Sequence, residues 1–246
     1  MTWTEAEAAN RYRALLERAK ADDDVVGVVL AGSHAGGPFA TGRSDYDVYV
    51  ITRQPSGAYV QRRGEPVEEL GMTLARFESL AEPGSDLAWN RPTFLVARVE
   101  LDRLDGGIER LVERIARLAP DEARTLAGTG LDDYVNSMYR SLKNLHDGRV
   151  LAGRLDANES IGAMLTAVFA LEGRVRPFNK WLSFELERRP LTIANLTDRI
   201  ADIIATGDPT SQRSLFRDVE VLARSGGHGA VIDGWEPDVA WIRGGT

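Results

Sequence analysis

The sequence predicts an α+β chain in which an N-terminal mixed β-sheet flanked by helices precedes an all-helical C-terminal half. Short β-branched and apolar runs, the mark of strands, end near residue 101. After Pro120 only helical periodicity remains, and strands followed by helices imply an α+β domain with a helical one behind it. With 246 residues the chain is long enough for two such parts. The boundary is expected near residues 119–130, where Pro120, Gly128 and Gly130 cluster, giving domains over 1–122 and 123–246.

Residues 4–20 read as a helix. Thr4 with Glu7 three residues on forms a capping box, and Tyr12, Leu15, Leu16 and Ala19 supply one apolar face. Asp22-Asp23-Asp24 ends it, and residues 25–30 form a β-branched run typical of a buried strand. Residues 31–44, rich in Gly and Ser and containing Pro38, are a turn region, and 45–51 are the second strand. A hairpin is expected next, with arms near 58–62 and 66–74 around Gly64. Residues 94–101 read as another strand, and 107–118 as a helix carrying Ile108, Leu111, Ile115 and Leu118. Further helices are expected near 131–147, 156–172, 178–187, 193–205 and 209–224, separated by Gly and Pro breaks.

Composition excludes several classes of function. The sequence has no cysteine, which removes disulfides, thiolate zinc sites and a cysteine nucleophile. No apolar run approaches the ~20 residues of a membrane span, and the acidic start lacks the basic and apolar regions of a signal peptide, so a cytoplasmic protein is expected. The net charge of −7 argues against a duplex nucleic-acid partner, which needs a clustered basic face. Small polyanions such as nucleotides need only a few local cations and stay open.

The chemistry concentrates in one motif. Asp45 and Asp47 are spaced i, i+2 on a strand and therefore share a face, with Val48 and Val50 turned away. Like charges so close are unfavourable unless neutralised. A hard divalent cation does this, and magnesium is characteristically held by one or two carboxylates together with substrate phosphates. Upstream, Gly32-Ser33 sits where a buried strand ends. Glycine lets the backbone come close to a phosphate, and the serine hydroxyl and nearby amides donate to it. Strand, Gly-Ser, glycine-rich loop and Asp-x-Asp together make a metal–triphosphate clamp. A solvated loop-to-strand junction would explain the two aspartates and leave Gly32-Ser33 unexplained.

Gly32-Ser33, eleven intervening residues and Asp45-Tyr46-Asp47-Val48 resemble the signature of the DNA polymerase beta-type nucleotidyltransferase superfamily, over about residues 25–102. The resemblance implies a mixed sheet, two magnesium ions and transfer of a nucleoside monophosphate from a nucleoside triphosphate, with ATP the expected donor. It implies Gly32, Ser33 and Ser44 as nucleotide contacts, and a third carboxylate on a following strand. Glu68 and Glu69 are the candidates. The family's order of hairpin glycine, apolar residue and acid favours Glu68 after Val67, while strand parity alone leaves both open.

In the helical half, Leu131, Tyr134, Met138, Leu142 and Leu145 form an apolar stripe, with Asn136, Arg140, Lys143 and Asp147 on the other side. The family resemblance, and not the spacing, would have Arg140 and Lys143 meet a triphosphate; the plainer reading is a solvated helix face. Residues 169–182, with Pro177-Phe178-Asn179-Lys180-Trp181, are similar to the helical C-terminal domains of aminoglycoside-type nucleotidyltransferases. This likeness implies Lys180 as a phosphate or acceptor contact, against the plainer reading of a lysine stem lying on a packed tryptophan. Asp156 and Glu159 open a helix, where acids are ordinary dipole partners. The aminoglycoside-type likeness would instead have them bind a cationic acceptor or act as base. His34, His146 and His228 show no metal-ligand spacing and receive no role.

The expected function is magnesium-dependent transfer of a nucleotide to an acceptor hydroxyl with release of pyrophosphate. Asp45, Asp47 and Glu68 are the metal ligands and catalytic residues, and Gly32, Ser33, Ser44, Arg140, Lys143 and Lys180 bind nucleotide. The expected acceptor is a small, aminoglycoside-like molecule, which would make antibiotic resistance a role, and the chain would be a monomer or homodimer. The alternatives are transfer to a protein or RNA, as in toxin–antitoxin nucleotidyltransferases, and a nucleotide sensor without turnover.

Overall fold

The computed structural model describes residues 3–61 and 64–244. It is an α+β chain, with a mixed four-stranded sheet and its helices first and a long helical region after them. Helix α1 (Glu5–Ala21) opens with the expected capping box: Thr4 Oγ1 accepts from the Glu7 amide, and the Glu7 carboxylate accepts from the Thr4 amide. Strands β1 (Val25–Ala31) and β2 (Tyr46–Thr52) pair antiparallel, and β3 (Val67–Thr73) pairs parallel with β2. After α2 (Leu74–Glu78), β4 (Arg98–Asp102) pairs antiparallel with β1, so the strand order is β3-β2-β1-β4.

Each face of the sheet buries one apolar layer. Val28, Leu30, Val48 and Val50 pack with Tyr12, Leu15 and Ala19 of α1. Val29, Tyr49 and Ile51, of opposite parity, pack with Phe77, Phe94 and Ile108. Ile108 lies on α3 (Gly107–Ile115). Strand β1 is buried along its whole length, as its unbroken β-branched run requires.

Two strand expectations are corrected. Residues 58–61 form no strand, and Arg62, the end of the expected arm, lies outside the described residues. Tyr59 is instead buried in the α1 layer and donates its hydroxyl to Asp22 at 3.0 Å, so this side chain serves the core and not a ladder. The second arm alone forms, as β3, and it pairs parallel with β2 from a level start (Tyr46 opposite Val67), so a return crossover joins the two. The expected strand over 94–101 begins later than expected: Phe94–Val96 are the end of a 3-10 segment, Ala88–Val96, and Arg98–Asp102 form the strand. Pro92 lacks a ladder donor, and Phe94 packs on the rings of Tyr49 and Phe77 at 4.9 and 5.7 Å. A short apolar run does not distinguish a buried helical turn from a strand.

The helical region comprises α4 (Pro120–His146), α5 (Val150–Leu171), α6 (Leu182–Arg188), α7 (Leu196–Thr206), α8 (Pro209–Ser225), α9 (Gly229–Asp233) and α10 (Asp238–Ile242). The Pro120–Gly130 stretch, read from sequence as a break, is the first part of α4. Pro120 is tolerated in its first turn with Ala119 extended before it, and α3 ends at Ile115, short of the expected Leu118. A Cβ on Gly130 would stand 2.9 Å from the Ala167 amide nitrogen, so this glycine permits close contact of α4 with α5. α5 begins six residues before the expected 156, at Val150. Asp156 and Glu159 therefore lie beyond its first turn, and the dipole reading does not apply to them.

The chain divides into two compact units: Met1–Arg117 with Pro177–Leu182, and Leu118–Arg176 with Ser183–Thr246. A six-residue piece from the midst of the helical half thus belongs to the sheet unit. No helix among the described residues is long and apolar enough to cross a membrane.

Candidate active site

The sheet unit gathers three acids at one end of β2. Asp47 is the residue of β2 opposite Ala31 of β1 and Glu68 of β3, so it has a strand neighbour on either side. Asp45 lies two residues earlier, ahead of the strand. Carboxylate oxygens of Asp45, Asp47 and Glu68 all lie within 4.8 Å of one another, the one such cluster among the described residues. Glu68, Leu70 and Met72 share parity on β3, and Leu70 and Met72 pack against the layer of Tyr49 and Ile51, which is the Asp47 side. Glu69 has the opposite parity and is ion-paired with Arg18 of α1. Of the two acids that sequence left open, Glu68 joins the cluster.

Gly32 shapes the cluster from the end of β1. Its φ is +67°, and a Cβ there would fall 2.0 Å from Asp47 Oδ2. Glycine is therefore required twice, by backbone conformation and by the space Asp47 occupies. Ser33 follows, buried in the 3-10 turn Gly32–His34.

Electrostatics set the three acids against one another. Asp47 is pushed up to about 7 from the ordinary 3.8, by burial first and then by the charges of Asp45 and Glu68, with Lys180 pulling the other way. Beneath it Tyr49 is pushed well above the usual tyrosine value, chiefly by burial, so its hydroxyl stays protonated; the Asn90 side chain donates to it. The cluster thus carries negative charge that one lysine only partly offsets. Hard carboxylate oxygens in such an arrangement fit a hard divalent cation such as magnesium or manganese.

Lys180 reaches the site because Pro177–Leu182 belongs to this unit. Its Nζ donates to Ser33 Oγ at 2.7 Å while lying 5.3 Å from the Trp181 ring centroid, the tryptophan contact of the plainer sequence reading. Trp181 is buried and packs at 5.4 Å on Phe39, in the loop after Ser33, and at 5.4 Å on Phe178.

The remaining expected residues have other neighbours. The Ser44 hydroxyl accepts from the Thr41 amide at 3.0 Å, closing a turn in the glycine-rich loop. Arg140, on α4 in the helical unit, donates to Asp156 at 2.9 Å and Glu159 at 2.7 Å, and Asn144 donates to Asp156 at 2.8 Å. Lys143 lies over the Tyr139 ring at 5.8 Å. Gln61, which sequence reasoning did not single out, donates to Glu68 at 3.2 Å. His34 also went unassigned; it stacks on Tyr46, the residue between the two aspartates, at 3.9 Å and 6°. No sequence signal marks either contact, since both depend on the crossover and the loop.

Among solved structures the chain is similar to a nucleotidyltransferase-like protein from Exiguobacterium sibiricum 255-15, at 13% identity over 87% of this chain and 76% of that one, with a TM-score of 0.44. No protein-family model and no curated protein matches the sequence.

Proposed function

We propose that this protein is a magnesium-dependent nucleotidyltransferase, taking a nucleoside monophosphate from a nucleoside triphosphate, with ATP the expected donor, to the hydroxyl of a small acceptor. The observation that carries the reading is the meeting of Asp45, Asp47 and Glu68 within 4.8 Å, on the strand end beside Gly32-Ser33. In this reading Asp45, Asp47 and Glu68 hold magnesium, two ions being expected. Bound there, the metal supplies Lewis acidity toward phosphate oxygens and neutralises their charge.

The chain's own groups have separate tasks. Ser33 Oγ accepts from Lys180, which leaves its hydroxyl proton to donate to a phosphate oxygen, while the Lys180 ammonium offsets phosphate charge. Glu68, half-buried and with the Gln61 amide as donor, takes the acceptor's proton. The acceptor oxygen then forms an ester bond to the α-phosphorus as the bond to the β-phosphate oxygen breaks, and pyrophosphate leaves. Alignment and charge supply the acceleration, with no covalent intermediate on the protein. Arg140 and Lys143 are proposed as further triphosphate contacts. Arg140 would then be shared with Asp156 and Glu159, and those acids suit a cationic, aminoglycoside-like acceptor.

The test is pyrophosphate release and thermal unfolding with each nucleoside triphosphate, with and without magnesium, on the wild type and Asp47→Asn. A ligand at about 100 times its dissociation constant stabilises by roughly 2.7 kcal/mol. A magnesium-dependent shift that vanishes in the variant is the expected result; no shift and no pyrophosphate with any nucleotide would sink the enzyme reading. Mass gain on a small molecule, as against a protein or an RNA, identifies the acceptor class.

A further inference from the structure

The three acids are not held alike. Asp47 has a strand on either side, opposite Ala31 and Glu68. Asp45 precedes β2 and has no strand partner, so its place depends on what fixes Ser44 and Tyr46. His34 touches both. Its Nε2–H donates to the Ser44 carbonyl at 3.1 Å, and its ring lies flat on Tyr46 at 3.9 Å. Tyr46 is closed from the other side by Tyr12 of α1, at 4.6 Å and 16°, and its amide donates to the Pro66 carbonyl at 3.0 Å.

We propose that His34 is a positioning residue that fixes Asp45 for metal binding by gripping the residues on both sides of it. The inference rests on the metal-site reading above and extends it to a residue outside the Gly-Ser and Asp-x-Asp motifs. Histidine fits the place because it combines a flat ring with a donor at the far ring nitrogen. Phenylalanine would keep the stack and leave the Ser44 carbonyl without this donor, whereas glutamine would keep a donor and lose the stack. Since His34 follows Ser33 directly, the same grip ties the phosphate-side turn to the metal side of the site.

The experiment is manganese titration, read by the electron paramagnetic resonance of free Mn2+, on the wild type, His34→Ala, His34→Phe and His34→Gln. Unfolding temperature is measured alongside in the presence of chelator. Loss of a group that orients a metal ligand typically weakens metal affinity about 10- to 100-fold. His34→Ala should show such a loss, with His34→Phe and His34→Gln falling between it and the wild type. A folded His34→Ala that binds manganese as the wild type does, with only its unfolding temperature lowered, overturns the proposal. Should His34→Ala fail to fold, wild-type affinity in both single-contact variants overturns it equally. Absence of manganese binding from the wild type overturns the metal-site reading and this proposal together.

Discussion

Asp47→Asn separates charge from shape at the centre of the acidic cluster. The Asp47 carboxyl is held at about 7 in the folded chain, against 3.8 for an ordinary aspartate. Its folded value is therefore above its unfolded one, and between those two values the folded chain keeps a proton that the unfolded chain gives up. The stability this contributes is fully present below about pH 4 and is lost as pH rises through about 7. At 1.36 kcal/mol for each pH unit, the part lost between pH 5 and pH 8.5 is about 2–3 kcal/mol, an upper figure because the side chain keeps some contact with water.

Asparagine has the shape of protonated aspartate and does not titrate. In chelator, urea unfolding of the wild type should show this loss between pH 5 and pH 8.5, and Asp47→Asn should lack it. For a chain of this size the difference corresponds to about 5–10 °C in unfolding temperature. The variant should therefore be the more stable protein at pH 8.5 while having lost turnover. Parallel pH profiles for the two proteins would refute the account of a buried carboxylate destabilised by its neighbours.

Asp45→Asn should lose manganese binding and turnover with the circular dichroism of the wild type. Glu68→Gln should lose turnover more completely than metal affinity, and retained turnover in either variant would remove that residue from the assignment. Gly32→Ala should cost about 1–2 kcal/mol in backbone strain at positive φ and also displace Asp47. Its metal affinity should fall further than its stability, which unfolding and manganese titration read separately. Lys180→Gln removes the one charge that lowers the Asp47 value. The pH midpoint of metal binding should consequently move upward and the KM for triphosphate should rise; an unmoved midpoint would detach Lys180 from the cluster.

What was legible in the sequence was local. The capping box of α1, the buried run of β1 and the pairing of Gly32-Ser33 with Asp45 and Asp47 each depend on residues a few positions apart, within one strand or one turn. The choice of Glu68 over Glu69 came from the family resemblance and was not legible from strand parity, because parity depends on which face of β3 meets the core. That in turn follows from the register with β2, in which Glu68 stands opposite Asp47, and register is a product of tertiary pairing. The start of α4 was misread for a related reason. Glycine at 130 weakens a helix in isolation, and the compensation comes from Ala167 on a helix later in the chain. Lys180 was flagged by its neighbours Pro177 and Trp181, but its bond to Ser33 spans 147 positions and is a product of tertiary structure alone.

The way each acid is supported suits the division of work that the proposed function assigns them. Asp47 sits on an interior strand, crowded by Gly32, with a strand on both sides, and its raised value reports how costly its charge is without a cation. Such a group suits a fixed metal ligand, since pre-organised charge is stabilised only when the ion arrives. Asp45 is fixed from outside the sheet by the His34–Tyr46 stack and the bond to Ser44. Glu68 lies on β3, the edge strand, half-buried, and receives the Gln61 amide. An edge strand has a neighbour on one side only, and in the proposed reading Glu68 is the group that takes up and releases a proton. In the proposed reading, the metal-holding demand would fall on the interior strand and the proton-handling demand on the edge strand.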